Sequence, residues 1–157
     1  ERGMMIGFNG AHKGHHIYRS ILEGIAMTMK SHVHAMCDER GVELTDVILS
    51  GGGSNSDLFT QMFADVFGLP VRRNEITGSA SLGAAICAAI ALNIYENRQE
   101  AIDHMVRQRD TVQPVASNVA LYAEIYENIY SQVADSTDAI LQNSHRIFRL
   151  RKPSEAE

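Results

Sequence analysis

Three consecutive glycines stand between an apolar run and a helical repeat, and this junction constrains the fold more than any other stretch. Residues 47–49, Val-Ile-Leu, form a short apolar run that predicts a buried strand. Residues 51–53 are the glycines, and residues 58–67 then carry apolar side chains at helical spacing until Gly68. The succession of strand, glycine turn and helix predicts a loop at the end of a sheet strand.

The three glycines suggest that a ligand approaches the backbone of this loop. Glycine adopts backbone angles that are closed to other residues, and it leaves no Cβ between backbone and ligand. The start of a helix adds unpaired N–H groups and a positive dipole end, which suit an anion or a polar ring edge. We expect a nucleotide here, with a tight turn selected only for its geometry as the alternative. Ser54 is expected to cap the following helix, helped by Asp57 three positions on.

Helical and strand patterns alternate along the first two thirds of the chain. The predicted elements are helix 16–40, strand 47–49, helix 58–67, strand 71–73 and helix 79–92. This order predicts an α/β domain in which crossover helices cover a mostly parallel sheet. A short helix is predicted near residues 99–107, and a long terminal helix over residues 118–148 follows a break at Pro114. We expect the terminal helix to pack onto the domain rather than to form a strong coiled coil.

The composition fits one globular domain and argues against several classes of function. Of 157 residues, 45% are hydrophobic, and a net charge of −5 without a long basic run argues against nucleic acid as a partner. No apolar run reaches the roughly 20 residues that span a bilayer, so no membrane partner is expected, and residues 84–92 predict a buried helix. Cys37 and Cys87 lack a C-x-x-C spacing and are expected to be reduced core residues of a cytoplasmic protein. The start at Glu1 rather than a methionine suggests a fragment.

Two well-known phosphate signatures match the chain only in part. Gly51-x-Gly53 lacks the third glycine of a dinucleotide fingerprint, and Ser56 stands in its place. Glu75 nevertheless follows the glycines at a sequence spacing that is plausible for the acidic residue that contacts ribose. A Rossmann-like NAD-binding domain is therefore an alternative. Residues 78–85 have the glycine spacing of a P-loop without its Lys and Ser/Thr, and therefore predict no Walker loop.

Neither a metal site nor a catalytic residue is predicted. No Cys or acidic residue completes a four-ligand zinc pattern at known spacing around the five histidines of the N-terminal region. These are His12, His15, His16, His32 and His34. No Ser/His/Asp or Cys/His arrangement has a recognisable local signature.

Four segments of the chain resemble the FGGY carbohydrate kinases, the group that contains xylulose, glycerol, gluconate and ribulose kinases. The longest segment is GGGSNSDLFTQMFADVFGLPV at residues 51–71, which is similar to the adenosine-side segment of these kinases. Three others agree in order: RSILEGIA at residues 19–26, SLGAA at residues 81–85, and a tyrosine-bearing helix at residues 122–130. The resemblance covers nearly the whole chain, and four segments in register are more specific than the glycine loop alone.

The resemblance implies a fold like that of actin and hexokinase, in which two α/β domains of ribonuclease-H type hold ATP and sugar between them. Residues 1–149 would be the later part of the second, nucleotide-side domain at the C-terminus of such a kinase, and residues 150–157 a charged flexible tail. The complete enzyme would transfer the γ-phosphate of ATP to a sugar or polyol hydroxyl, with Mg²⁺ bridging the phosphates. The sugar pocket, the catalytic base and the metal ligands would lie outside this chain, in a missing N-terminal domain.

The same resemblance implies roles for four residues of the loop. Gly51 and Gly52 match the glycines that lie against adenosine, Gly53 stands where a small residue is usual, and Ser56 occupies the place of a polar adenine contact. Residues 77–81 depart from the family's usual acidic-residue-plus-alanine entry to the next helix. The remaining alternative is a non-catalytic domain that forms homodimers through its terminal helix.

Overall fold

The computed structural model describes residues 4–149, so the expected tail at residues 150–157 lies outside the described residues. Within that range the chain forms six α-helices and three strands. The helices are α1 (Gly14–Arg40), α2 (Asp57–Phe67), α3 (Ser79–Ala91), α4 (Arg98–Met105), α5 (Ala116–Ile125) and α6 (Ser131–Arg149). The strands are β1 (Val47–Leu49), β2 (Val71–Asn74) and β3 (Gln108–Val112). A 3₁₀ turn, Gly52–Asn55, precedes α2, and a π-helical segment, Tyr126–Tyr130, joins α5 to α6.

The predicted alternation from the first helix to the third is confirmed, including the end of α2. Gly68 has the left-handed φ of 69°, and its N–H donates to the carbonyl oxygen of Ala64 at 2.8 Å. A glycine in this conformation ends a helix at little cost, since it has no Cβ to clash. The chain can therefore turn directly from α2 into β2.

The sheet is mixed and contains the three strands in the order β1, β2, β3. β1 and β2 run parallel, whereas β2 and β3 run antiparallel. The prediction of a mostly parallel sheet is therefore wrong for one of the two strand pairs. The sequence does not predict β3 because its residues, Gln-Arg-Asp-Thr-Val, are largely polar and exposed, as is common for a strand at the edge of a sheet.

α2 forms the centre of the hydrophobic core. Seven of its eleven residues are buried, which leaves little of the helix in contact with solvent. α1 and α5 pack against it, and α2 also contacts β2 and β3. The buried side chains that meet there are Ala26, Met27, Met62, Phe63, Ala64, Val66, Phe67, Val71 and Tyr122. The glycine turn thus leads into the most firmly packed helix of the described chain.

Apolar side chains of α3 remain exposed, so the prediction of a buried helix at residues 84–92 is wrong for the described chain. In α3 only Ile86 and Ala89 are buried, and Leu92 at its end is 72% exposed. Cys87 is also exposed rather than in the core, and Cys37 is half-buried; both are free thiols. The physical reason is that α3 packs mainly against the short helix α4.

The terminal helix begins two residues earlier than predicted and is divided into three parts. At its start, the buried carboxylate of Asp65 accepts hydrogen bonds from the Val115 N–H and the Asn118 side chain, each at 2.8 Å. Tyr122 is buried against the core, whereas Ile140 farther along is 62% exposed. The predicted packing onto the domain is thus confirmed for the first half of the helix. Among residues 4–149, no helix has the length and apolar character needed to cross a membrane.

Candidate functional site

The glycine loop, residues 50–56, leaves the carboxyl end of β1 and enters α2. Gly51 has a φ of 84° and a ψ of −175°, a conformation that is accessible essentially only to glycine. Its N–H donates to the carbonyl oxygen of Thr77 at 2.8 Å, and the hydroxyl groups of Ser50 and Ser79 lie 3.2 Å apart. The loop after β1 is therefore tied to the turn after β2. The carboxyl ends of two parallel strands meet there, which is where open α/β sheets bind ligands.

Gly52 and Gly53 have different surroundings. A Cβ added to Gly52 would meet no atom within 4 Å, so this part of the backbone borders open space. A Cβ added to Gly53 would lie 2.8 Å from the ring of Phe59 and would clash with it. Gly53 is therefore explained by packing of the loop against α2, whereas Gly52 leaves the backbone accessible to a ligand.

Ser54 and Ser56 differ in their relation to α2, and it is Ser56 that caps the helix. Ser54 is buried, and its Oγ donates to the carbonyl oxygen of Gly51 at 2.7 Å, so the prediction that Ser54 caps α2 is wrong. Ser56 is the N-cap, because its Oγ accepts from the N–H of Phe59 at 3.3 Å. The reason is the 3₁₀ turn, which moves the start of α2 two residues along the chain. Ser56 is exposed, and its hydroxyl hydrogen is still available to a ligand.

Arg73 supports the glycine loop from the sheet. Its side chain is only 5% exposed and extends from β2 between two carboxylates. It donates from Nε and Nη2 to Asp110 on β3, at 2.8 and 2.5 Å, and from Nη1 to Asp57 in the first turn of α2, at 2.7 Å. Nη1 also donates to the carbonyl oxygen of Ser54 at 3.1 Å. One guanidinium group thereby joins the loop, α2 and two strands.

The charges of this cluster stabilise one another. Hydrogen bonds to Asp110 and Asp57 raise the pKa of Arg73 further above its already high ordinary value. The hydrogen bonds from Arg73 in turn lower the pKa of Asp110 below its ordinary value. Arg109 adds a weaker ion pair, with its Nε 3.7 Å from Asp110, so two arginines and two carboxylates balance in charge beneath the loop.

Sequence reasoning assigned no role to Arg73, although a local signal exists. In β2, Val71 and Arg73 occupy alternate positions that are both buried, while Arg72 between them is only partly buried. A charged residue on the buried face of a strand requires partners, because an unpaired buried charge is costly. Which carboxylates supply them follows only from the tertiary structure, since Asp110 lies on a strand that the sequence does not predict.

A second group of hydrogen bonds joins α1 to the tyrosine-bearing helix. The hydroxyl of Tyr122 donates to Glu23 Oε1 at 2.8 Å and accepts from Arg19 Nη2 at 3.1 Å. Burial and the hydrogen bond to Glu23 raise the pKa of Tyr122. The Tyr126 hydroxyl pairs with that of Ser31 at 2.7 Å. Two segments that carry the family resemblance, residues 19–26 and 122–130, are therefore in direct contact.

Comparison with known proteins identifies the class of α/β domain to which this fold and this loop belong. Residues 1–92 match the family described as "FGGY family of carbohydrate kinases, C-terminal domain". The chain belongs to the FGGY family of carbohydrate kinases, which confirms the resemblance seen in its sequence.

Individual relatives agree with this membership. The chain is 47% identical over 148 residues to the Escherichia coli protein named "Uncharacterized sugar kinase YgcE", covering 94% of this chain and 30% of that protein. It is 32% identical over 142 residues to the xylulose kinase of Bacillus subtilis, covering 88% of this chain and 28% of the relative. The crystal structure of xylulose kinase from Rhodospirillum rubrum is similar with a TM-score of 0.71 and 26% identity, over 87% of this chain and 28% of that one.

These similarities help to decide between the kinase and the NAD-binding alternatives that the sequence left open. The chain spans less than a third of the length of each of these three relatives. The described fold is an α/β fragment with a small sheet, structurally similar to FGGY kinases. None of the similarities supports the Rossmann-like NAD-binding alternative.

Proposed function

We propose that this chain is the nucleotide-binding C-terminal domain of an ATP-dependent sugar or polyol kinase, and that its glycine loop holds the adenosine of ATP. The observation that carries the proposal is the open backbone at Gly52, within a loop whose neighbours on both sides are fixed. Gly51 is held by Thr77, and Ser54 is held by Arg73. A fixed stretch of backbone without side chains is suited to the flat face of a nucleoside, because nothing has to be ordered on binding.

The charges near the loop favour adenosine over the phosphates of ATP as its occupant. The Asp57 carboxylate stands in the first turn of α2 and is 84% exposed, so it presents a negative group at the start of this helix. A phosphate placed at this helix start would meet a like charge, whereas adenine and ribose are neutral. In this arrangement Gly51 and Gly52 lie against the nucleoside, Gly53 lets the loop pack closely, and the Ser56 hydroxyl hydrogen binds a polar atom of adenine.

The rest of the reaction is assigned to other parts of the protein. Phosphoryl transfer depends mostly on positioning and charge stabilisation, and the loop supplies the positioning of the nucleotide. Among the described residues, no three His, Cys, Asp or Glu side chains are grouped so that they could hold a metal ion. In our proposal the ligands of Mg²⁺, the catalytic base and the sugar pocket therefore belong to an N-terminal domain of the complete enzyme.

The finer description of the fold is part of the same proposal. We assign residues 1–149 to a domain of ribonuclease-H type, as in actin and hexokinase. A parallel β1–β2 pair with α2 as its crossover, joined by the antiparallel strand β3, supports this assignment. Homodimerisation through the terminal helix and a cytoplasmic location stay predictions.

The experiment is an acceptor screen with the complete gene product. The purified protein is incubated with ATP, Mg²⁺ and a panel of pentuloses, hexonates and polyols, and ADP release is followed. We expect release that depends on one class of acceptor, together with binding of ADP in its absence. A protein that binds no adenine nucleotide and responds to no acceptor would contradict the proposal.

A further inference from the structure

Arg73 is connected to the open backbone at Gly52 through a short chain of hydrogen bonds. Its Nη1 donates to the carbonyl oxygen of Ser54, at 3.1 Å. Both the N–H and the Oγ of Ser54 donate to the carbonyl oxygen of Gly51, at 3.1 and 2.7 Å. Since Gly51 directly precedes Gly52, a shift of the guanidinium group moves the anchor of the backbone that borders the open space.

The partners of Arg73 fix the guanidinium group in both position and plane. Two nitrogens donate to the two carboxylate oxygens of Asp110, whose Cα lies opposite that of Arg73 in the β2–β3 register. Such a bidentate pair sets the orientation of the guanidinium group as well as its place. The remaining nitrogen is then directed at Asp57 and Ser54, and so at the junction of the loop with α2.

We propose that Arg73 is a positioning residue for nucleotide binding, which holds the glycine loop in the conformation that accepts the nucleoside. The inference rests on the proposed function and adds a residue to it that does not touch the ligand. A lysine could replace the charge of Arg73 but not its planar fork, because an ammonium group cannot bind Asp110 bidentately and also reach Ser54 in a fixed plane.

The neighbouring residue Arg72 provides a matched control. It lies on the same strand, its side chain is 42% exposed, and it pairs with Asp46 rather than with the loop. Arg72→Met therefore removes an arginine and an ion pair from β2 without touching the glycine loop.

The test uses the complete gene product and four proteins: wild type, Arg73→Met, Arg73→Lys and Arg72→Met. The dissociation constant of ADP is measured by calorimetry, and KM is measured separately for ATP and for the acceptor. We expect Arg73→Met to weaken ADP binding about tenfold and to raise KM for ATP by a similar factor. KM for the acceptor and all constants of Arg72→Met are expected to stay within about twofold of wild type, which is the usual effect of an exposed ion pair.

The Arg73→Lys variant tests whether Arg73 positions the glycine loop or only balances the negative charges of its carboxylate partners. We expect the lysine variant to fold and to keep a positive charge at this position, but to bind ADP about as weakly as Arg73→Met, because the planar fork is lost. If Arg73→Met does not fold, the lysine variant decides the question alone. Wild-type affinity for ADP in the lysine variant would overturn the inference.

Failure of the inference can be told apart from failure of the proposed function. A wild-type protein that binds no ADP overturns the proposed function, and the inference with it. A wild type that binds ADP, combined with unchanged affinity in Arg73→Met or with an equal rise of both KM values, overturns the inference alone.

Discussion

Arg73 and Asp110 face each other across the antiparallel pair of β2 and β3, and they share two hydrogen bonds between guanidinium and carboxylate. The arginine is almost completely buried, whereas the carboxylate is 36% exposed. The pair thus places a permanent positive charge inside the domain and leaves part of its neutralisation to Asp110, a group that can be protonated, while Asp57 supplies the rest. This asymmetry makes the stability of the domain depend on pH.

The first prediction concerns the stability of the domain at low pH. Hydrogen bonds from Arg73 hold the pKa of Asp110 below its ordinary value of 3.8. Its contribution to stability is therefore fully present above that value and is lost as pH falls through the lowered pKa. We expect Asp110→Asn to be less stable than wild type at pH 7, and the difference to shrink below pH 3.8. Urea unfolding over a pH series measures this.

The control for the acid experiment is Asp46→Asn, which removes a carboxylate from the partly exposed pair with Arg72. We expect it to change the free energy of unfolding by less than about 1 kcal/mol at neutral pH. A gap between wild type and Asp110→Asn that persisted unchanged into strong acid would contradict the role given to Asp110.

The second prediction concerns the open backbone. Because a Cβ at Gly52 would meet no protein atom within 4 Å, Gly52→Val should leave the free energy of unfolding close to that of wild type. In the complete gene product we expect it to raise KM for ATP about tenfold or more, and to leave KM for the acceptor nearly unchanged. Equal increases in both constants would indicate that residue 52 lies in a merely structural turn.

The third prediction concerns Gly53 and Phe59, which are in close contact. Gly53→Ala places a methyl group against the ring of Phe59 and should lower the free energy of unfolding by about 1–3 kcal/mol. Phe59→Leu removes the ring, so the double variant should be more stable than the sum of the two single changes predicts. Thermal or urea unfolding of the four proteins measures the coupling, and strict additivity would show that the two residues do not compete for space.

The fourth prediction tests which serine caps α2. Ser56→Ala should lower the free energy of unfolding by about 1 kcal/mol, whereas Ser56→Asn should change it little, because asparagine is an equally good N-cap. Urea unfolding compares the two variants. Equal destabilisation of Ser56→Ala and Ser56→Asn would show that loss of the N-cap is not the cause. A rise of KM for ATP in Ser56→Ala would additionally support the proposed contact with adenine.

The fifth prediction concerns the 157-residue chain by itself. Holding the acceptor, a base and the γ-phosphate together can account for about 7–11 kcal/mol of barrier lowering. The chain spans less than a third of the length of these kinase relatives, and in our proposal it supplies only the adenosine side of the nucleotide site. We expect no acceptor-dependent release of ADP from the purified chain. Release that survives purification to homogeneity would require a base within this sequence, and the exposed Asp57 would be the first residue to mutate.

Local patterns were sufficient to predict the first helices and the parallel strand pair. The helical spacing before Gly68 and the apolar run at residues 47–49 depend on neighbours in the sequence, and both elements form where expected. The family membership was also predictable, because it depends on motifs spread along the chain. Within the glycine loop, the unusual backbone conformation of Gly51 could be expected from its residue type alone. The need for a glycine at position 53, in contrast, arises from contact with the ring of Phe59.

Features that depend on distant partners could not be predicted. β3 is a strand because it pairs with β2, not because of its own polar residues. Ser56 rather than Ser54 caps α2 because the chain inserts a 3₁₀ turn before the helix. The alternation in β2 can mark Arg73 as a buried charge, but its pairing with Asp110 follows only from the tertiary structure. The binding roles of Gly51, Gly52, Gly53 and Ser56 stay predictions.

The burial of α2 predicts the order in which the parts of the domain open. A helix with most of its residues in the core can expose its amide hydrogens only when the surrounding elements separate, whereas the last helix, with Ile140 largely in solvent, can fray by itself. In hydrogen exchange, the amides of α2 should therefore be the slowest and those toward the end of α6 the fastest. The glycine loop is attached to α2, the helix whose amides should exchange most slowly. Its backbone should therefore keep its shape through the small fluctuations that loosen the terminal helix.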